Sequence, residues 1–278
     1  DGTFGERMVA AIVEGNNGKD YRPIEETDVL SFDQAKELVD LEFVPNEPMT
    51  VCPDLVSGRG WNFKTWGSLF NPRQLLAMQT FVACLHEALE AMKNESFDNA
   101  YRQAVGVYLG LWVDRIATFN TSVCRWASGS EIIKTPFSGQ AIPMIWDYPE
   151  VNPLSDSSGS ASTQLEYMLK VILHENLSYI KGLPEFKQSL GSATSLPLKP
   201  ESVDYVVTDP PYDDAIAYAD LSDFFYVWLK RCIGGLFPEV FVTPLTPKKE
   251  EATSLKHRHD GSAEKARKHY RNILEKSF

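Results

Sequence analysis

The ten residues 203–212 constrain the fold of this chain more than any other stretch. The first six form a short apolar run rich in β-branched side chains, which is typical of a buried parallel strand. Pro210 and Pro211 follow, and strand pairing ends there because proline has no N–H to donate. The two prolines fix an extended exit that directs Asp209 and Tyr212 away from the sheet edge. In open α/β sheets, this carboxyl end of a strand is where ligands bind.

This arrangement suits chemistry on a planar ring that carries an amine. The carboxylate of Asp209 and the directed carbonyl of Pro210 can both accept hydrogen bonds from an exocyclic N–H. Tyr212 can stack on the ring face, a contact whose removal costs about 1–3 kcal/mol per base in other systems. The alternative is a chance turn of the same residue types after a strand. The strand itself and the run 191–198 before it favour the functional interpretation.

Asp209-Pro210-Pro211-Tyr212 resembles the D-P-P-Y signature of S-adenosylmethionine-dependent amino-methyltransferases that form N6-methyladenine. The likeness extends to four further segments: residues 21–23, 66–74, 151–153 and 208–228. Together they resemble the large bacterial and archaeal adenine-specific DNA methylases that carry an additional N-terminal domain of unknown function.

The resemblance implies double-stranded DNA as substrate and S-adenosylmethionine as cofactor. It implies that Asp209 and the Pro210 carbonyl accept from the adenine amine, and that Tyr212 stacks on a base flipped out of the duplex. It further implies cofactor contacts at Asp209 and, near the cofactor's adenine, at Ser192 or Thr194. Other subunits of a modification or defence system are compatible partners.

In that family a glycine-rich strand and loop upstream holds the methionine part of the cofactor, and further strands follow the D-P-P-Y segment. No Asp-Pro-Phe-x-Gly-x-Gly-like loop occurs in these residues. The chain also begins without Met and ends inside an amphipathic helical pattern. We therefore expect a middle piece of a longer protein, with little activity in isolation.

The predicted fold class is α/β: a partial Rossmann-like methyltransferase sheet with a mostly helical inserted subdomain. We expect residues 1–160 to form the mixed, mostly helical, substrate-side region. Residues 161–278 are then the half-domain that carries the catalytic loop and a basic C-terminal segment. A hairpin is predicted from the strand at 8–13 and the polar turn at 15–19.

Asn71 and Pro72 predict the start of a long helix, with Asn as N-cap and Pro in the first turn. A second helix begins near Ser96 and should pair antiparallel with the first, because the connection is short. Spacings of three and four residues place these side chains on the two inner faces: Leu75, Met78, Val82, Leu85, Leu89 and Met92, then Val105, Tyr108, Leu109, Trp112, Ile116 and Phe119.

Two more helices follow. One begins near residues 160–162, directly after the polar run 155–160, which is either a flexible linker or a loop that orders on binding. The other spans 222–231 with Ser222 as its expected N-cap.

Nucleic-acid contacts are predicted in two places. In the loop 58–70, Arg59, Trp61 and Lys64 combine charge with an aromatic surface, although such aromatics more often fill a core. In the basic stretch 248–271, the candidates are Lys256, Arg258 and Arg267. The histidines of that stretch suit a phosphate-facing segment better than a metal site, and no metal is predicted.

The charge distribution limits where nucleic acid can bind. The net charge is −11, yet residues 248–278 carry nine Lys or Arg against five Asp or Glu. A local basic face can hold a polyanion despite an acidic total. The four cysteines show no C-x-x-C pair, no run approaches the roughly 20 apolar residues that span a bilayer, and no signal peptide is visible. These features predict a cytoplasmic protein without membrane contact.

Two other function classes remain open. One is a non-catalytic DNA-recognition or scaffold module with a methyltransferase-like fold. The other is an amino-methyltransferase that acts on RNA or on a protein glutamine.

Overall fold

The computed structural model describes residues 5–16, 18–50, 63–139, 141–142, 145–174 and 190–278. Within them lie six α-helices: α1 (Glu26–Leu38), α2 (Pro72–Asn94), α3 (Asn99–Phe119), α4 (Ala161–Ile172), α5 (Tyr218–Ile233) and α6 (Ala263–Ser277). The same residues contain four strands: β1 (Ala11–Gly15), β2 (Gly18–Arg22), β3 (Arg125–Ala127) and β4 (Ile132–Lys134). The protein is thus of mixed α/β class, as the sequence predicts. In the part of the chain described, no helix is both long enough and apolar enough to cross a bilayer.

The strands form two separate antiparallel pairs. Strand β1 pairs with β2 so that Ile12 lies opposite Tyr21, which confirms the predicted hairpin. Strand β2 begins at Gly18, whose φ of 126° is a conformation that glycine adopts without strain. Strand β3 pairs with β4, with Trp126 opposite Ile133.

Helix α2 begins as predicted. The Asn71 side chain accepts from the Gln74 backbone N–H at 2.9 Å, and the Gln74 side chain accepts from the Asn71 N–H at 2.9 Å. Pro72 occupies the first turn, where the missing N–H costs nothing. Most of the predicted inner stripe is buried: Met78, Val82, Leu85 and Leu89.

Helices α2 and α3 pack antiparallel, which confirms the prediction. Gly106 of α3 faces Leu89 near the end of α2, while the Asn120 side chain donates to the Gln74 carbonyl near its start, at 3.2 Å. The predicted inner face of α3 is partly wrong, because Tyr108 is 47 % exposed. The predicted residue Ile116 is fully buried with Val113 and Ala117, and the predicted residues Leu109 and Trp112 pack against the core in partly buried positions.

Helix α5 completes the core. Trp228 and Phe224 are fully buried, and the Phe224 ring lies 5.8 Å from that of Phe70. Gly110 lets α3 pack closely against α5, because a Cβ at this position would lie only 3.3 Å from the Ile233 side chain. This core draws side chains from both sides of the domain boundary predicted after residue 160, and that boundary stays a prediction.

The start of α5 differs from the sequence prediction. The helix begins at Tyr218, with Ala217 in the capping position, and Ser222 lies inside it. This earlier start is explained by a hydrogen bond to a residue that lies far away in the sequence. Glu251 accepts the N–H of Ala219 at 2.9 Å, so a first-turn donor is satisfied without a local cap, and a carboxylate sits at the positive end of the helix.

Residues 203–208 do not form the predicted buried strand. They pair with no strand in the part of the chain that the structure describes, and Val207 is 95 % exposed. A parallel strand is buried where neighbouring strands pair with it and helices cover its faces. The two sheets among the described residues are local antiparallel hairpins. The partial Rossmann-like sheet therefore stays a prediction.

The polar run 155–160 is a set of hydrogen-bonded turns that leads into α4. The Ser155 hydroxyl donates to the Asn152 carbonyl at 2.8 Å, and the Ser160 side chain accepts from the Thr163 N–H at 3.3 Å. Ser160 is the N-cap of α4, which begins where the sequence predicts. The Trp112 indole donates to the Ala161 carbonyl at 2.8 Å and ties α4 to α3.

Candidate active-site loop

The loop that precedes α5 presents its two chemically useful side chains to solvent. The Tyr212 hydroxyl donates to the Asp209 carboxylate at 3.0 Å, and Tyr212 is 70 % exposed. The carboxylate keeps a second oxygen for another donor. Pro210 and Pro211, between them, are half-buried. An exposed carboxylate beside an exposed aromatic ring is the pair that the sequence predicts.

Hydrogen bonds from α6 and from the segment before it hold the backbone of this loop. The Tyr270 hydroxyl of α6 donates to the Pro211 carbonyl at 2.7 Å. The Ser254 N–H donates to the Asp213 carbonyl at 3.1 Å. Asp213 has a φ of 47°, a left-handed conformation that turns the chain toward α5, and the Ala215 N–H then closes on the Tyr212 carbonyl at 2.9 Å.

The helix that follows this loop, α5, carries two buried acids. Asp220 and Asp223 are fully buried. Asp223 accepts from the Lys248 ammonium at 2.7 Å and from the Thr246 N–H at 2.9 Å. These bonds fasten the segment after α5 back onto the helix that follows the loop.

Arg258 completes the buried cluster. Its guanidinium donates to Asp220 and, at 2.6 Å, to Glu251. Burial acts to lower the pKa of Arg258, but the hydrogen bonds and charges of the two carboxylates outweigh it and raise the pKa above its usual value. The predicted nucleic-acid contact thus lies inside an ion-pair network, with its charge directed at carboxylates of the protein itself.

The other predicted nucleic-acid contacts are scattered. Lys256 and Arg267 are exposed, the latter on α6. Lys64 is exposed on the segment before α2, while Arg59 and Trp61 lie outside the described residues. Of the aromatic loop that contains them, Trp66 is fully buried in the core.

The two predicted cofactor residues contact each other. The Ser192 and Thr194 hydroxyls are 2.8 Å apart. Among the described residues, no hydrogen bond or ion pair joins either of them to the loop 209–212. In the same part of the chain, no group of three His, Cys, Asp or Glu side chains is arranged to hold a metal ion.

The residues that hold this loop and the helix after it were not predicted from the sequence. Asp220 and Asp223 carry a signal, since they fall on the same helical face as the core residue Val227, where an acid must find a partner. A helix start at Ser222 leaves Asp220 outside the helix and places Asp223 in the first turn, where an acid is favourable without a partner. Tyr270 carries no comparable signal, because its partner Pro211 lies far away in the sequence.

Comparison with known proteins adds no relative: no family model, no curated protein and no solved structure matches this chain.

Proposed function

We propose that residues 209–212 form the base-binding half of an adenine-N6 DNA methyltransferase. In this role the Asp209 carboxylate and the Pro210 carbonyl accept the two hydrogens of the exocyclic amine. These hydrogen bonds raise the electron density on the nitrogen and make it a better nucleophile. S-adenosylmethionine would supply the methyl group and leave as S-adenosylhomocysteine, while Asp209 accepts the proton that the nitrogen loses and passes it to water. Tyr212 stacks on the flipped base, and the work of the site is mainly positioning.

The observation that carries the proposal is the pairing of Asp209 and Tyr212. A hydrogen bond of 3.0 Å joins the two side chains, both are exposed, and the loop backbone is fixed from behind. A ring stacked on Tyr212 would bring its edge to the neighbouring carboxylate. The D-P-P-Y resemblance makes adenine the preferred ring.

The cofactor half receives no such support. The hydroxyls of Ser192 and Thr194 bond to each other and make no contact with the loop among the described residues. These two side chains alone do not form a site for S-adenosylmethionine. The proposal therefore rests on the base side of the reaction.

The test is methyl transfer from labelled S-adenosylmethionine to a panel of duplex DNA, RNA and peptide, with the full-length protein. We expect transfer to adenine-containing DNA, and a loss of about 10²–10⁴-fold for Asp209→Asn, the range typical of a positioned acid–base group. Asp214→Asn is the matched control, since Asp214 is an exposed acid of the same loop. It should stay within about twofold of wild type.

Each contrary result points to a specific alternative. Transfer only to RNA or peptide would replace DNA as the substrate. DNA binding without any transfer would favour a recognition or scaffold module. Equal activities of Asp209→Asn and wild type would remove Asp209 from the mechanism.

A further inference from the structure

The loop 209–212 needs hydrogen-bond donors from other parts of the chain. Pro210 and Pro211 have no N–H, so the loop cannot fix its central turn by donating hydrogen bonds from these positions. Its free backbone groups there are carbonyls, which need donors. Tyr270 of α6 supplies one to Pro211 at 2.7 Å.

Tyr270 is itself held in place. It lies on the inner, half-buried face of α6, and the next residue toward the N-terminus, His269, makes a 3.1 Å hydrogen bond through Nε2 to the Glu251 carbonyl. Glu251 is fixed in turn by Arg258 and by the first turn of α5. The donor to the loop thus belongs to a framework that also holds α5.

From this connection we infer that Tyr270 is a positioning residue of the active site. Its hydroxyl fixes the peptide plane that joins Pro211 to Tyr212, and so sets where the Tyr212 ring and the Asp209 carboxylate lie. The inference rests on the proposed function. Displacement of a reacting group by about 1 Å can cost on the order of 10²-fold in rate, so one anchoring bond is enough to matter.

The substitution that isolates this bond is Tyr270→Phe, which removes the hydroxyl and keeps the ring. Tyr108→Phe on α3 is the matched control, since that tyrosine is exposed and far from the loop in sequence. Three quantities are measured on the full-length protein: kcat and KM for DNA methylation, the melting temperature, and hydrogen exchange at the amides of residues 212–215.

We expect Tyr270→Phe to lower kcat about tenfold, with KM and melting temperature close to wild type and faster exchange at 212–215. Tyr108→Phe should match wild type in all of them. An unchanged kcat in an active protein would overturn the inference and leave the proposed function standing. A loss of activity that only follows a drop in melting temperature would also overturn it, because the role would then be structural.

Failure of the proposed function has a separate signature. In that case wild type transfers no methyl group to any member of the panel. The exchange measurement still decides whether the hydroxyl holds the loop: exchange at 212–215 that is the same in Tyr270→Phe and wild type overturns the inference, and selectively faster exchange supports it.

Discussion

Asp209 and Tyr212 combine two properties that rarely occur together on a surface loop. Their side chains are exposed, yet the Tyr212 hydroxyl is bonded to the carboxylate and the backbone behind them is fixed by Tyr270. A loop of this kind loses little conformational entropy when a ligand binds, because its shape is set in advance.

The sequence predicts that Asp209 and Tyr212 lie close together, but it does not predict the contact that Tyr270 makes with this loop. The first two stand in one short motif with two prolines, so their proximity is a local property. Tyr270 reaches Pro211 only because α6 folds back onto the loop. Contacts between residues this far apart follow from tertiary packing, which periodicity and motif spacing do not encode.

Asp114 gives a prediction for stability against pH. Its side chain lies buried in α3, and burial raises the pKa of its carboxyl well above the usual value. The unfolded carboxyl loses its proton at lower pH than the folded one, so folding stability falls as pH rises above about 4. Asp114→Asn cannot ionise and should be more stable than wild type at neutral pH.

Urea unfolding of both proteins from about pH 4 to about pH 7 measures this effect. The difference in unfolding free energy should grow by up to about 1.4 kcal/mol per pH unit while the folded carboxyl stays protonated. A difference that does not change with pH would mean that Asp114 is ionised in the folded protein.

At the scale of elements, α2 and α5 show what limits prediction. The start of α2 follows from Asn71 and Pro72, which act within one turn, and the prediction is confirmed. The start of α5 depends on Glu251, which lies 32 residues beyond Ala219 in the sequence. The predicted local cap at Ser222 was therefore wrong. Helix ends are predictable where the capping group is a sequence neighbour.

Helix α6 gives a prediction for nucleic-acid binding. Arg267 and Arg271 are exposed and four residues apart, hence one turn apart on the flank next to Tyr270. Neither makes a hydrogen bond or ion pair with the described part of the chain. Under the proposed function they contact DNA phosphates beside the target base, and the Arg267→Ala, Arg271→Ala double variant should bind duplex DNA more weakly.

Fluorescence anisotropy at several salt concentrations measures that loss. The slope of log K against log salt should decrease in magnitude by about 2, close to one per arginine lost. The matched control is Lys93→Ala, Lys170→Ala, which removes two exposed charges from other helices. A salt slope equal in both double variants would show that α6 is not a specific contact surface.

For the whole molecule, helical spacing predicted the helical core, whereas the strand predicted at residues 203–208 is not formed. The inner stripe of α2 and its antiparallel packing on α3 follow from helical spacing and a short connection. Residues 203–208 carry the composition of a buried strand, yet they are exposed and unpaired in the part of the chain described. Strand burial depends on partners that composition cannot specify, and so the methyltransferase-like sheet remains a prediction.

Nucleoside mass spectrometry shows directly whether this protein methylates adenine in DNA. Duplex DNA is incubated with the full-length protein and isotopically labelled S-adenosylmethionine, then digested to nucleosides. We expect labelled N6-methyldeoxyadenosine with wild type and with Asp214→Asn, and almost none with Asp209→Asn. Label on another base, or equal N6-methyldeoxyadenosine from wild type and Asp209→Asn, would contradict it.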